Sequence, residues 1–187
     1  KLGAKASYSC APDRGMTLQT GQDSFTFECL VKTNQNGGVI WSMEDRDSDQ
    51  FQFVGLDNGE LGWSNGNDGS FEKMAVPQLF DDQWHLLSMR YDRSYAQSED
   101  AWVHVYVDGE SIGFGLASPQ QLADRSPIRM GGLANPNDPM DRQLELAHVR
   151  FWTYQRSDDQ IKAAQHQLPT GEELSQAANC PIDNEGL

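Results

Sequence analysis

Residues 25–31, FTFECLV, alternate with a period of two. Phe25, Phe27, Cys29 and Val31 fall on one side of an extended chain; Thr26, Glu28 and Leu30 fall on the other. Similar short runs recur at 39–43 (VIWSM), 51–56 (FQFVGL), 60–64 (ELGWS), 84–91 (WHLLSMRY) and 103–107. In the last of these, Val103, Val105 and Val107 alternate with Trp102, His104 and Tyr106, so apolar groups occupy both faces. Asp57-Asn58-Gly59 and Asp108-Gly109 are tight-hairpin signals. Gly113 and Gly115 thin the strand after the second turn, which fits a bend, a bulge or the close approach of another group. The period changes near the end. Ser157-Asp-Asp-Gln160 has the pattern of a capping box ahead of a short helix, IKAAQHQ, stopped by Pro169. Thr170 to Glu173 repeats that pattern ahead of ELSQAA. The pattern predicts an all-β, two-sheet antiparallel β-sandwich with one or two short C-terminal helices on an edge or end. One domain over 1–187 is expected, with its core at about 16–165 and a helical extension over 157–180.

Composition narrows the partners. There are 28 Asp and Glu against 14 Lys and Arg, a formal net charge of −14. Such a field repels phosphate backbones, which argues against nucleic acid and anionic membranes. It is compatible with bound cations, and equally with a merely solvated acidic surface. No apolar run approaches the roughly 20 residues that span a bilayer, so membrane insertion is not expected. The chain begins at Lys1 and not at Met, which reads as a mature form or an excised domain. Cys10, Cys29 and Cys180 fit no zinc or redox spacing. Cys29 reads as a buried thiol. Cys10 and Cys180 lie near opposite ends of the chain, where a disulfide between them is one reading.

Five segments in fixed order carry a family resemblance. They are Phe25–Lys32, Trp84-His85 with its strand, Val105-Tyr-Val-Asp-Gly109, Ile128-Arg-Met-Gly-Gly132, and Leu146-Ala-His-Val-Arg-Phe-Trp152. Together they resemble the laminin G-like, pentraxin-like, concanavalin A-like jellyroll family. The resemblance implies two antiparallel sheets packed face to face and, mostly, a binding role. It implies a recognition module for glycan or a protein surface, set beside neighbouring domains of a larger extracellular or secreted protein.

Two chemistries follow as expectations. In laminin G-like domains a Ca²⁺ site pairs an Asp just before a strand with an Asp or Asn in the loop after the Gly-Gly strand. Asp49, directly before FQFVGL, resembles the first position; Asn137, Asp138 or Asp141 resembles the second. Ca²⁺ takes roughly six to eight oxygen ligands, and both loops are rich in them. Loops of this composition also form turns without any metal. Sugar sites pair an aromatic face with planar polar groups. Trp63, Asn65, Asn67 and Asp68, with Arg46 nearby, have that chemistry, although each Trp, including Trp41, Trp84 and Trp152, also reads as a packing residue.

An enzyme on the same fold, cleaving polysaccharide by hydrolysis or elimination, is the rival reading. Glu44-Asp45-Arg46-Asp47 is the nearest approach to paired carboxylates, and it lacks the apolar spacers of a buried strand. No nucleophile-elbow motif occurs. His85, His104 and His148 sit on predicted strands and read as sheet residues. A third reading is a structural domain that packs against a neighbour.

Overall fold

The computed structural model describes residues 8–10, 24–34, 37–44, 51–64, 71–93, 101–117, 128–130 and 144–165. The strands are β1 (Tyr8–Cys10), β2 (Phe25–Lys32), β3 (Gly38–Glu44), β4 (Phe51–Asp57), β5 (Glu60–Ser64), β6 (Phe71–Ala75), β7 (His85–Asp92), β8 (Ala101–Val107), β9 (Glu110–Ala117), β10 (Ile128–Met130) and β11 (Glu145–Trp152). A 3-10 turn, Pro77–Phe80, precedes β7, and helix α1 spans Asp158–Ala164. Two antiparallel sheets result. One has six strands in the order β1-β10-β3-β4-β5-β6; the other has five in the order β11-β2-β7-β8-β9.

Local chemistry sets the turns. Asn58 and Gly59 close the β4–β5 hairpin at φ 51° and 85°; Asp108 and Gly109 close β8–β9 at φ 50° and 75°. Paired positive φ is what a two-residue hairpin on twisted strands requires, and Asn-Gly and Asp-Gly adopt it with little strain. Ser157 caps α1 as expected. Its hydroxyl accepts from the Gln160 N–H, and the Gln160 side chain accepts from the Ser157 N–H.

The core lies between the sheets. Phe25, Phe27, Cys29, Val31, Leu87, Met89, Val103 and Val105 come from the five-stranded sheet; Trp41, Val54, Leu56, Leu61 and Trp63 come from the six-stranded one. Phe27, Trp41 and Phe151 form an aromatic centre with ring centroids 4.9–6.0 Å apart. Leu146 and Phe151 are an odd number of residues apart on β11, yet both point inward. A β-bulge between Ala147 and Arg150 absorbs the mismatch, with His148 at φ 49°.

The outward face of β2 is not a solvent face. Thr26 and Glu28 are as buried as the inward Phe27, because the chain after β11 folds back over them. The Thr26 hydroxyl donates to the Tyr154 carbonyl and accepts from the Arg156 N–H. Arg156 places one Nη1 2.8 Å from both oxygens of Glu28, and Trp152 Nε1 donates to the same carboxylate at 2.8 Å.

Two expectations about tryptophan are corrected. Trp84 was expected to pack in the sheet, but it precedes β7 and is 42% exposed. Trp63 was expected among the ligand-binding residues and is instead sealed in the core, as described below. The expected helix after Thr170, His166 and the partner Cys180 lie outside the described residues. For Cys10, the structure describes its strand and not its side chain.

Candidate functional site

Strand register sets the two ends of the sandwich. Glu44, Phe51, Ser64 and Phe71 lie at one end; Lys32, Gly38, Asp57, Glu60 and Glu145 lie at the other. Arg46, Asp49, Asn65, Asn67, Asp68, Asn137, Asp138 and Asp141 all lie outside the described residues. Their flanking strands are nonetheless informative. The segments carrying Arg46, Asp49, Asn65, Asn67 and Asp68 both leave and re-enter at the first end. The segment carrying Asn137, Asp138 and Asp141 re-enters at Glu145, which pairs with Lys32 at the second end. Glu44, Phe51, Ser64 and Phe71, the described strand ends on either side of the first two segments, share the first end.

Trp63 is 1% exposed, so its ring offers no stacking face. Its indole N–H donates to the Leu116 carbonyl across the sandwich at 3.0 Å. A Cβ on Gly115 would stand 2.6 Å from the Trp63 ring, and one on Gly113 would stand 3.1 Å from Met74. The glycines of β9 are thus the space into which the opposite sheet packs. The close approach that they signal is made by Trp63.

The histidines have defined roles. His85 Nδ1 lies 2.7 Å from Asp108 and Nε2 lies 3.0 Å from Asp81. Asp108 also accepts from the Leu86 N–H, and its own N–H returns to the Leu86 carbonyl. Burial alone would lower the His85 pKa, but the carboxylates on both nitrogens outweigh it and hold the imidazole above its usual value. With both nitrogens engaged, His85 ties the β8–β9 turn to the start of β7 and leaves no ring position to take a substrate proton. Cys29 is buried, and burial with the nearby Glu28 carboxylate pushes its thiol far up, away from reactivity. Among the described residues, no group of three or more His, Cys, Asp or Glu side chains is arranged to hold a metal.

The outward face of the five-stranded sheet carries the exposed groups. Cross-strand register aligns Thr26, Arg90, His104 and Phe114 in one row, and Asp92, Trp102 and Leu116 in the next. Arg90 donates to Asp158 on α1 at 2.6 Å and lies over the Tyr106 ring, whose hydroxyl donates to the same carboxylate. Desolvation and the Arg90 charge hold the His104 pKa below its usual value. Beyond this border nothing among the described residues covers the sheet. Phe114 is 61% exposed and meets Trp102 edge-on at 5.2 Å; Leu116 and Ile112 are 40% and 37% exposed. Among the described residues, three of the five exposed large hydrophobic side chains thus lie on β9, so this is a patch and not scatter. Sequence reading missed it. The signal was the second apolar face of β8 together with Phe114 between two glycines.

Comparison with known proteins agrees with this architecture. A family model described as Laminin_G_3, Concanavalin A-like lectin/glucanases superfamily, matches residues 3–162, and the chain belongs to that family. No curated protein matches it by sequence. Among solved structures it is similar to a candidate carbohydrate binding protein from Bacteroides ovatus ATCC 8483, with TM-score 0.61 and 16% identity over 94% of this chain and 49% of that one. It is similar to domains LG4-5 of the mouse laminin alpha1 chain, with TM-score 0.57 and 14% identity over 84% of this chain and 42% of that one. It is also similar to a heptameric SAP-like pentraxin from Limulus polyphemus, with TM-score 0.55 and 14% identity over 88% and 84%. At these identities the likeness establishes the fold. The chain spans about half of the first of these proteins.

Proposed function

From membership of that family we propose a non-catalytic recognition module that binds glycan or a protein surface, as part of a larger extracellular protein. The observation that carries this reading is the open aromatic patch on a rigid sheet, Trp102 beside Phe114 with Leu116 and Ile112. An apolar surface left in water on an otherwise acidic chain fits a role in contact. The carbohydrate-binding and laminin relatives support the class, and no helix among the described residues is long and apolar enough to cross a membrane. A binding screen of the full chain against immobilised glycans and matrix proteins tests it. Retention by at least one class of ligand is expected; turnover of a polysaccharide without stable binding would support the enzyme instead.

Ca²⁺ is a second element of the proposal, held by Asp49 with Asp138, Asp141 or Asn137, and Arg46, Asn65, Asn67 and Asp68 form its companion rim. Ca²⁺ binding to the folded chain alone would raise the melting temperature by mass action. A rise that disappears in Asp49→Ala supports the ion. An unchanged melting temperature at millimolar Ca²⁺ removes it and leaves the sheet face as the binding surface.

A further inference from the structure

We propose that His85 is a pH-operated latch on the turn before β7. When the imidazolium loses a proton, the ring keeps Asp108 and releases Asp81, and the turn that carries Trp84 loosens. The device is separate from the patch on β9 and from whichever ligand the module takes.

Proton counting is the first argument. An Asp108 carboxylate oxygen lies 2.7 Å from Nδ1, and an Asp81 oxygen lies 3.0 Å from Nε2. A carboxylate only accepts, so both ring nitrogens must donate, and only the imidazolium has two N–H groups. These distances therefore describe the charged ring. A neutral ring has one N–H and one lone pair, so one of the two carboxylates must then face a lone pair.

Unequal anchoring decides which contact fails. Asp108 is held twice more: it accepts from the Leu86 N–H at 2.9 Å, and its own N–H donates to the Leu86 carbonyl at 2.8 Å. The Asp81 side chain is 50% exposed and can turn to water. The remaining proton therefore stays on Nδ1. The Asp81 oxygen that faces Nε2 also accepts from the Gln83 N–H at 2.8 Å, so its departure withdraws two contacts from the turn. Asp82 between them is the pivot. It stands at φ 63°, its N–H donates to the Thr33 carbonyl at 3.0 Å, and Lys32 lies 3.6 Å from its carboxylate.

The other charges around the ring occur in pairs. Lys32 on β2 faces Asp82 and lies opposite Glu145 of β11 in register; Lys162 on α1 faces Glu110 on β9 at 2.9 Å. Of these residue types only histidine changes charge near neutrality. Burial alone would lower the His85 pKa, but the two carboxylates outweigh it and hold the value up, while the same hydrogen bond holds Asp81 below its usual range. The latch is thus closed in mild acid and opens as pH rises through the raised histidine value.

The test is NMR of the full chain from pH 5 to 9. It reads the His85 ring nitrogens and the water-exchange protection of the Gln83 and Leu86 amides against their intrinsic rates at each pH. The ring is expected to titrate above 6.5 and, once neutral, to carry its proton on Nδ1. Gln83 protection should fall about tenfold at the same midpoint, as one hydrogen bond is lost, while Leu86 protection holds. Trp84, 42% exposed beside Gln83, should change its fluorescence at that midpoint, read as the difference between the native chain and Trp84→Phe. In Asp81→Asn, whose carboxamide can donate or accept, the pH dependence at Gln83 should vanish and the ring midpoint should fall. A neutral ring protonated on Nε2, with Leu86 losing protection and Gln83 keeping it, would overturn the proposal by placing the release at the β8–β9 turn. Gln83 protection that ignores the titration of the ring would overturn the latch altogether.

Discussion

One outward sheet face carries two opposite solutions. Over β11, β2 and β7 it is covered: Glu28, Thr26 and Ser88 are fully buried beneath the segment that leads into α1. Over β9 it is open, with Phe114 more exposed than any other large hydrophobic side chain among the described residues. The rows run continuously from one half to the other, so strand geometry does not make the difference. The covered half is polar and the open half is apolar, the reverse of simple partitioning. Charge is tolerated inside because Arg156 and Trp152 both donate to the Glu28 carboxylate. Apolar surface left outside points to a partner.

The largest effect should come from breaking the covered half. Glu28→Ala strands the Arg156 guanidinium in a buried site, with Arg150 3.8 Å from the missing carboxylate. A loss of about 3–5 kcal/mol is expected in urea unfolding. Replacing Glu28 and Arg156 together by Leu should recover much of it, because the pair itself contributes little net stability once both desolvation costs are removed. If the single and double variants are equally unstable, the ion pair is not what holds this half.

The inner side of the open half comes next. Gly115→Ala puts a methyl group 2.6 Å from the Trp63 ring and should cost about 1–3 kcal/mol by overpacking. Phe114, the outward neighbour of Gly115 on the same strand, should behave quite differently. This sharpens the contrast between the two sides of β9.

These two sites also show what sequence could and could not reveal. Alternation over Phe25–Val31, the Asn-Gly and Asp-Gly turns and the Ser157 cap are local signals, and each appears where expected. The Trp84-His85 and Asp108-Gly109 motifs, weak when read apart, prove to be one contact through His85 and Asp108. Glu28 was opaque because its partner Arg156 lies 128 residues away, and a lone Glu on a strand resembles a surface charge. Trp63 was misread for the same reason. Its neighbours Asn65, Asn67 and Asp68 suggested a sugar loop, while its true environment is Gly115 on the opposite sheet. The one-residue bulge at Ala147–Arg150 decides which side chains of β11 point inward, and no residue there announces it.

His85 gives the comparison a pH axis. Its folded pKa is raised above the ordinary histidine value of 6.5, so the stability it adds is fully present below about 6.5 and is lost as pH rises through the raised value. Asp158 has the opposite sign. Its pKa is lowered from 3.8 by the Tyr106 hydroxyl and by Arg90, so its contribution is present above about 3.8 and is lost as pH falls through the lowered value. Melting temperatures measured from pH 5 to 9 should decline at the alkaline side in the native chain. The decline should be shallower in His85→Gln. Identical profiles would mean that the β8–β9 turn is not tied through a protonated imidazole. Ser157→Ala, which removes the α1 cap at the border of the two halves, should cost about 1 kcal/mol and leave the pH profile unchanged.

The smallest stability effect belongs to the open half. Phe114 has little more burial to lose, and its outward neighbours Ile112 and Leu116 are exposed as well. Phe114→Ser should change unfolding free energy by no more than about 0.5 kcal/mol, as exposed substitutions usually do. Set against Glu28→Ala three strands away, that is a contrast of several-fold on a single sheet face. A large loss would mean that Phe114 packs against chain outside the described residues, and the patch would then be part of the fold. A negligible change, with binding weakened, would separate what holds this sheet together from what it presents.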